Sequence, residues 1–109
     1  MHELSIMSSV VDTVRERVPD ATVTCVRMEI GKLSGVLVDS VLFCFDVVVA
    51  GTNLEGASLD ISSPPGRARC RACGSSFDLD DLIFLCSCGS ADVQVLSGRE
   101  LRITSVEVA

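Results

Sequence analysis

Apolar residues recur along this chain with two different periods. In residues 3–18, Met7, Val10, Val11, Val14 and Val18 follow the i, i+3, i+4, i+7 spacing of one helix face. Glu3 in the first turn and Arg15 and Arg17 in the last suit the helix dipole, and Pro19 stops the helix. The period then becomes two. From Thr22 to Lys32, Val26, Met28 and Ile30 alternate with Arg27 and Glu29, which predicts a strand. Gly31 and Ser34-Gly35 mark the turn out of it. Asp39 is the expected N-cap of a second helix running to about Ala50, with Gly51 as its C-terminal stop. Its inner face is expected to carry Val41, Leu42, Cys44, Phe45, Val48 and Val49. Val47-Val48-Val49 has strand propensity, but length and the two end signals favour helix.

Ser58 to Ser62 reads as a short strand with Leu59 and Ile61 inward. Leu101 to Val108 reads as the last strand. Its inward phase is Leu101 and Ile103, then Val106 and Val108. That slip of one residue predicts a bulge near Thr104-Ser105. Between these strands the periodicity lapses. Pro64-Pro65-Gly66 opens the segment and Ser97-Gly98 closes it. A unit of about thirty residues is too small to hold itself together with an apolar core. The predicted fold class is α+β: a small antiparallel sheet packed with two helices, plus a zinc-ribbon-like insert. The expected division is an α/β domain of residues 1–64 and 99–109 and an insert of residues 65–98.

The insert takes its character from cysteine. Four of the chain's six cysteines lie in it, as Cys70-x2-Cys73 and, after twelve intervening residues, Cys86-x-Cys88. Two thiolates three apart can point at one ion, and Gly74 and Gly89 follow each pair, where a positive φ turns backbone N–H groups toward sulfur. Only Ser87 separates the second pair, so that loop must bend differently. The reading is one zinc held by Cys70, Cys73, Cys86 and Cys88, a closed structural site rather than a catalytic one. Spacing leaves a rubredoxin-like iron open, and a redox dithiol at Cys70 and Cys73 leaves the second pair unexplained. Arg67, Arg69 and Arg71 are expected to offset the thiolate charge and to donate to sulfur. Cys25 and Cys44 read as small buried residues.

Composition narrows the partners. The chain has 109 residues and a formal charge of −6, with no Trp or Tyr. Four thiolates add −4 and a zinc ion +2, so the charge with metal bound becomes −8. A zinc-ribbon module for nucleic acid, or for protein, is the alternative class. Nucleic acid is disfavoured because Asp78, Asp80, Asp81 and Asp92 share the insert and only Phe77 and Phe84 offer stacking surfaces. An anionic membrane is disfavoured likewise, and no apolar run nears the roughly 20 residues of a membrane span. The N-terminus has neither a basic nor an apolar leader region, which predicts a cytoplasmic protein.

The one histidine is His2. A solvated terminal residue is the plain alternative. At position 2, however, the Met1 amine, the His2 backbone nitrogen and its Nδ1 close two linked chelate rings, with Glu3 available as a fourth ligand. Square-planar nitrogen ligation of this kind suits Ni(II) or Cu(II).

Met1-His2-Glu3-Leu4-Ser5-Ile6, then Arg27-Met28-Glu29-Ile30-Gly31-Lys32-Leu33-Ser34-Gly35-Val36, the four cysteines, and Ser97-Gly98-Arg99-Glu100-Leu101-Arg102-Ile103 occur in that order. Taken together they resemble the HypA/HybF family of hydrogenase nickel-incorporation factors over essentially the whole chain. The resemblance implies a non-enzymatic nickel metallochaperone. Met1, His2 and Glu3 would bind Ni(II) as transferred cargo, and Cys70, Cys73, Cys86 and Cys88 would bind structural zinc. The implied partners are a HypB-type nickel GTPase and the large subunit of nickel–iron hydrogenase, with urease as a further client. A homodimer stays open. The family usually places two residues between the second pair of cysteines, and here there is one.

Overall fold

A computed structural model describes residues 3–109, so the expected nickel ligands Met1 and His2 lie outside the described residues. The elements are α1 (Glu3–Arg17), β1 (Val23–Ile30), α2 (Val38–Val49), β2 (Ser58–Ser62), β3 (Gly66–Cys70), β4 (Ser76–Leu79), β5 (Val93–Ser97) and β6 (Leu101–Val108). They form two three-stranded sheets, ordered β2-β1-β6 and β4-β3-β5. The molecule is 53 Å long and 21 by 17 Å across. Its radius of gyration is 17.0 Å, against about 13 Å for a compact chain of this length. Two small cores, rather than one large one, account for the difference.

The first core follows the predicted periodicities. Met7, Val10, Val11 and Val14 of α1 are buried against Val23, Val26, Met28 and Ile30 of β1. α2 adds Val41, Phe45 and Val49, spaced i, i+4, i+8, with Cys44 and Val48 at the rim. Leu42, expected inside, is 39% exposed, because the buried stripe of α2 is narrower than its run of apolar residues. Asp39 is not the N-cap. The Val41 N–H donates to Leu37 O at 3.0 Å, so the helix begins two residues earlier and Asp39 serves as a first-turn carboxylate. Gly51, at φ +76°, stands just past the end.

Because α2 crosses from β1 to β2, those two strands run parallel, whereas β1 and β6 are antiparallel. Arg27 opposes Ser105 and Met28 opposes Ile103, so Thr104 is the bulged residue. Ile103 and Val106 therefore both pack on the core. Leu101 and Val108, also expected inward, stay 38% and 48% exposed because β6 is an edge strand that neither helix covers.

Asn53 fixes the turn before β1. Its Nδ2 donates to Val18 O and Ala21 O, both at 2.8 Å, and its carbonyl accepts the Val23 N–H. Asn53→Ala leaves two carbonyls without these donors and should cost about 1–2 kcal/mol, read as a lower urea midpoint with an unchanged slope.

The insert is built differently from expectation. It contains three strands and an apolar core of its own: Leu33, Ala68 and Leu79, flanked by Phe77, Phe84 and Val95. Leu33 comes from outside the insert, just after β1. Three segments run side by side at this junction. Gly31 N–H donates to Glu100 O, Lys32 N–H to Pro64 O and Leu33 N–H to Gly98 O, at 2.8–3.1 Å. This ladder joins the two sheets.

Candidate metal centre

The four insert cysteines converge. Their sulfurs all lie within 4.8 Å of one another, contributed by the end of β3, the β3–β4 turn and the loop before β5. Two pairs link one knuckle to the other: Cys70 to Cys88 and Cys73 to Cys86, both at 3.7 Å. A disulfide would hold sulfurs at about 2 Å. A tetrahedral ion with sulfur ligands at about 2.3 Å gives sulfur–sulfur edges of about 3.8 Å. The donor set thus fits a single tetrahedral thiophilic ion such as zinc, with no ligand position left for substrate. Cys70 and Cys86 are buried and Cys73 and Cys88 face outward.

The backbone explains how the short second spacing works. In the first knuckle the Cys70 N–H donates to Ser75 O and the Gly74 N–H to Cys70 O. In the second the Cys86 N–H donates to Ser90 O and the Gly89 N–H to Cys86 O. The same two bonds close both loops, one residue shorter in the second. Gly74 at φ +79° and Gly89 at φ +92° each make the turn that side chains disfavour.

Donors to sulfur come from the backbone and from serine, not from arginine. The Ser75 hydroxyl and backbone N–H, then Cys86 and Cys70, bring Cys73 down to about 6. The Cys73 N–H, with that of Ala72, lowers Cys70. The Ser90 N–H pulls Cys88 down, but hydrogen bonds with the thiols of Cys86 and Cys70, with burial, outweigh it and push the group up to about 11. Gathering four sulfurs therefore makes the first negative charge easy and a later one hard, a conflict that a bound dication relieves. Arg67 and Arg71, expected at the sulfurs, pair with Asp78 and Asp92 instead. The alternation of β3 is the reason. Gly66, Ala68 and Cys70 face inward, so Arg67 and Arg69 face solvent. Asp78, Asp92 and Ser75 thus shape the site in ways that spacing did not disclose.

Of the other expected site, only Glu3 lies among the described residues. Glu3 is the first residue of α1 and partly buried. Cys25 is buried in β1, its thiol 3.6 Å from Asp60 Oδ2, and Cys44 is half-buried in α2, as expected of packing residues. Among the described residues no helix is long and apolar enough to cross a membrane.

Comparison with known proteins decides the family. Residues 1–108 match the family model for HypA, described as a hydrogenase/urease nickel-incorporation metallochaperone. The chain belongs to the HypA family. Hydrogenase maturation factor HypA of a Nostoc species is 44% identical over 108 residues, covering 99% of this chain and 96% of that one. The HypA of Geobacter metallireducens is 42% identical and covers 99% of both. The solution structure of the Ni metallochaperone HypA from Helicobacter pylori superposes with a TM-score of 0.66 at 25% identity, over 99% of this chain and 97% of that one. The HypA match spans both sheets, so the helices and the ribbon fall within one family match.

Proposed function

We propose that this chain carries Ni(II) at its N-terminus and delivers it during assembly of nickel–iron hydrogenase. The Met1 amine, His2 through its backbone nitrogen and Nδ1, and Glu3 hold the ion as cargo. The observation that carries this reading is the HypA match beginning at residue 1. Helix physics supports it. The first N–H groups of a helix have no intrahelical acceptor, so those at the start of α1, from Glu3 on, take no part in the helix's own hydrogen bonds. Glu3 adds a carboxylate at the same end. The buried stripe of Met7, Val10, Val11 and Val14 anchors the helix and leaves its start accessible. A partner can then approach the ion and offer competing ligands, which is transfer without catalysis.

In this reading residues 1–64 and 99–109 form the nickel domain and residues 65–98 the zinc domain. Cys70, Cys73, Cys86 and Cys88 hold zinc, which ties β3, β4 and β5 together and supplies no reaction. A HypB-type GTPase loads or releases the nickel, and the hydrogenase large subunit receives it. Urease is a second client of the same chemistry, and the site of action is the cytoplasm.

Nickel titration tests the site. The native chain should bind about one Ni(II). A Gly-Ser extension before Met1 and His2→Ala should each weaken binding at least about a hundredfold, as expected when a chelate ring is lost. Affinity should fall as the pH is lowered, because the amine, imidazole and backbone nitrogen must shed protons to bind. Unchanged affinity in both variants would overturn the assignment.

A further inference from the structure

Helix α2 is apolar on nearly every side. Of its twelve residues only Asp39, Ser40 and Asp46 are polar. A helix with that pattern is normally covered all round. Here one side is covered and the other is not. Val41, Phe45 and Val49 are buried, whereas Phe43 is 71% exposed and Val47 53% exposed, with Leu42 beside them at 39%. Phe43 takes no part in the core of the first sheet, so the fold does not account for an aromatic ring at this position.

The uncovered residues form one surface. Asp39, Leu42, Phe43, Asp46 and Val47 are all exposed and follow the i, i+3, i+4, i+7, i+8 spacing of a single helix face. At about 100° per residue, Asp39 and Asp46 run along the middle of that face, with Leu42 on one flank and Phe43 and Val47 on the other. Its charge has one sign. Residues 33–66 contain the carboxylates of Asp39, Asp46, Glu55 and Asp60 and no Lys or Arg. Among the described residues, Asp60 pairs with Arg27, but neither Asp39 nor Asp46 enters an ion pair.

We propose that the outer face of α2 docks an amphipathic helix of another protein, whose contacting face sets two Lys or Arg residues among large apolar side chains. Asp39 and Asp46 are seven residues apart, about 10 Å along the helix, so bases seven apart on the docked helix meet both. The aliphatic stems of those bases lie over Leu42 and Val47 while their charged ends reach the carboxylates. Phe43 is the anchor, a rigid ring that buries a large area at little cost in side-chain order. A surface that is itself acidic, such as the same face of a second copy, brings carboxylates together and is disfavoured. The proposal uses none of the first three residues and stands apart from the nickel reading.

Fluorescence anisotropy with the full-length, metal-loaded chain tests the surface. The probe is a labelled synthetic helical peptide with Leu at i, i+3, i+4 and i+7 and two Lys seven residues apart on the same face. A second peptide replaces each Lys by Glu. The Lys peptide should bind, more weakly as salt rises, and the Glu peptide should bind at least about tenfold more weakly. Phe43→Ser should weaken the Lys peptide at least about tenfold. The double variant D39K/D46K should do the same and should bind the Glu peptide in its place, a reversal that mere damage to the helix does not produce. Ile83→Ser removes a side chain that is 69% exposed in the insert, and it should leave Lys-peptide binding unchanged, as should His2→Ala. Circular dichroism of each variant should match the wild type. The proposal fails if neither peptide binds, if the two bind alike, or if Ile83→Ser weakens binding as much as Phe43→Ser. It fails equally if Phe43→Ser abolishes association of the chain with itself, because a second copy then covers the face.

Discussion

Cys73→Ser is expected to release the insert's metal and melt β3, β4 and β5 while leaving α1, α2 and the first sheet folded. The side chain faces solvent, so the change removes a ligand and almost no packing. What remains to hold the ribbon is a core of three buried residues, Leu33, Ala68 and Leu79. A core of that size offsets little of the ordering entropy of some thirty residues, at about 1.5 kcal/mol each. A tetrathiolate ion contributes about 10–16 kcal/mol in small domains of this kind. Amide exchange reads the outcome by element. Protection should vanish for residues 66–70, 76–79 and 93–97 and persist in β1 and α1. Metal content should drop from about one equivalent per chain, whereas Cys44→Ser should keep it. Full metal content with an unchanged melting curve in Cys73→Ser would defeat the four-thiolate centre.

The reasons this site was legible in the sequence also mark the limits of legibility. Metal ligands are local in sequence. Cys70 and Cys73 share one turn, Cys86 and Cys88 another, and a glycine at fixed offset reports the backbone each turn needs. Only the meeting of the two knuckles had to be inferred. Helix α1 and strands β2 and β6 were legible because burial on one face imposes a period, and the one-residue slip in β6 located its bulge. Leu33 was not legible. It follows Gly31-Lys32 in what reads as a turn, and nothing local says that its side chain enters the core of the other sheet. The strands of the insert were hidden by their small inward residues. Gly66, Ala68 and Cys70 alternate with two arginines, a pattern that reads as a basic cluster before it reads as a strand. The exposure of Leu101 and Val108 depends on what lies beside β6, which periodicity within a strand does not report.

Gly98→Ala should be the most damaging single substitution at the junction between the sheets, for two separable reasons. Gly98 sits at φ +109°, where an L side chain is strained. A Cβ there would also overlap Gly66 Cα and approach Gly66 N to 3.0 Å, and both are backbone atoms that cannot rotate away. Gly31→Ala isolates the second effect, since its Cβ would drive into the carbonyl of Gly98 without any positive φ to violate. That same carbonyl accepts the Leu33 N–H at 2.8 Å. Relieving the clash therefore breaks the ladder and withdraws Leu33 from the core of the insert. Overpacking in a site that can yield costs about 1–3 kcal/mol. Here the obstructing atoms belong to a neighbouring backbone, so Gly31→Ala should exceed about 3 kcal/mol and Gly98→Ala should cost about 1–3 kcal/mol more. Chemical denaturation followed at both sheets distinguishes this from general fragility. The insert should keep its metal and local protection at low denaturant, while the bonds from Gly31, Lys32 and Leu33 exchange first. A loss of less than about 1 kcal/mol in Gly31→Ala would mean that the two sheets are not held by this close backbone contact.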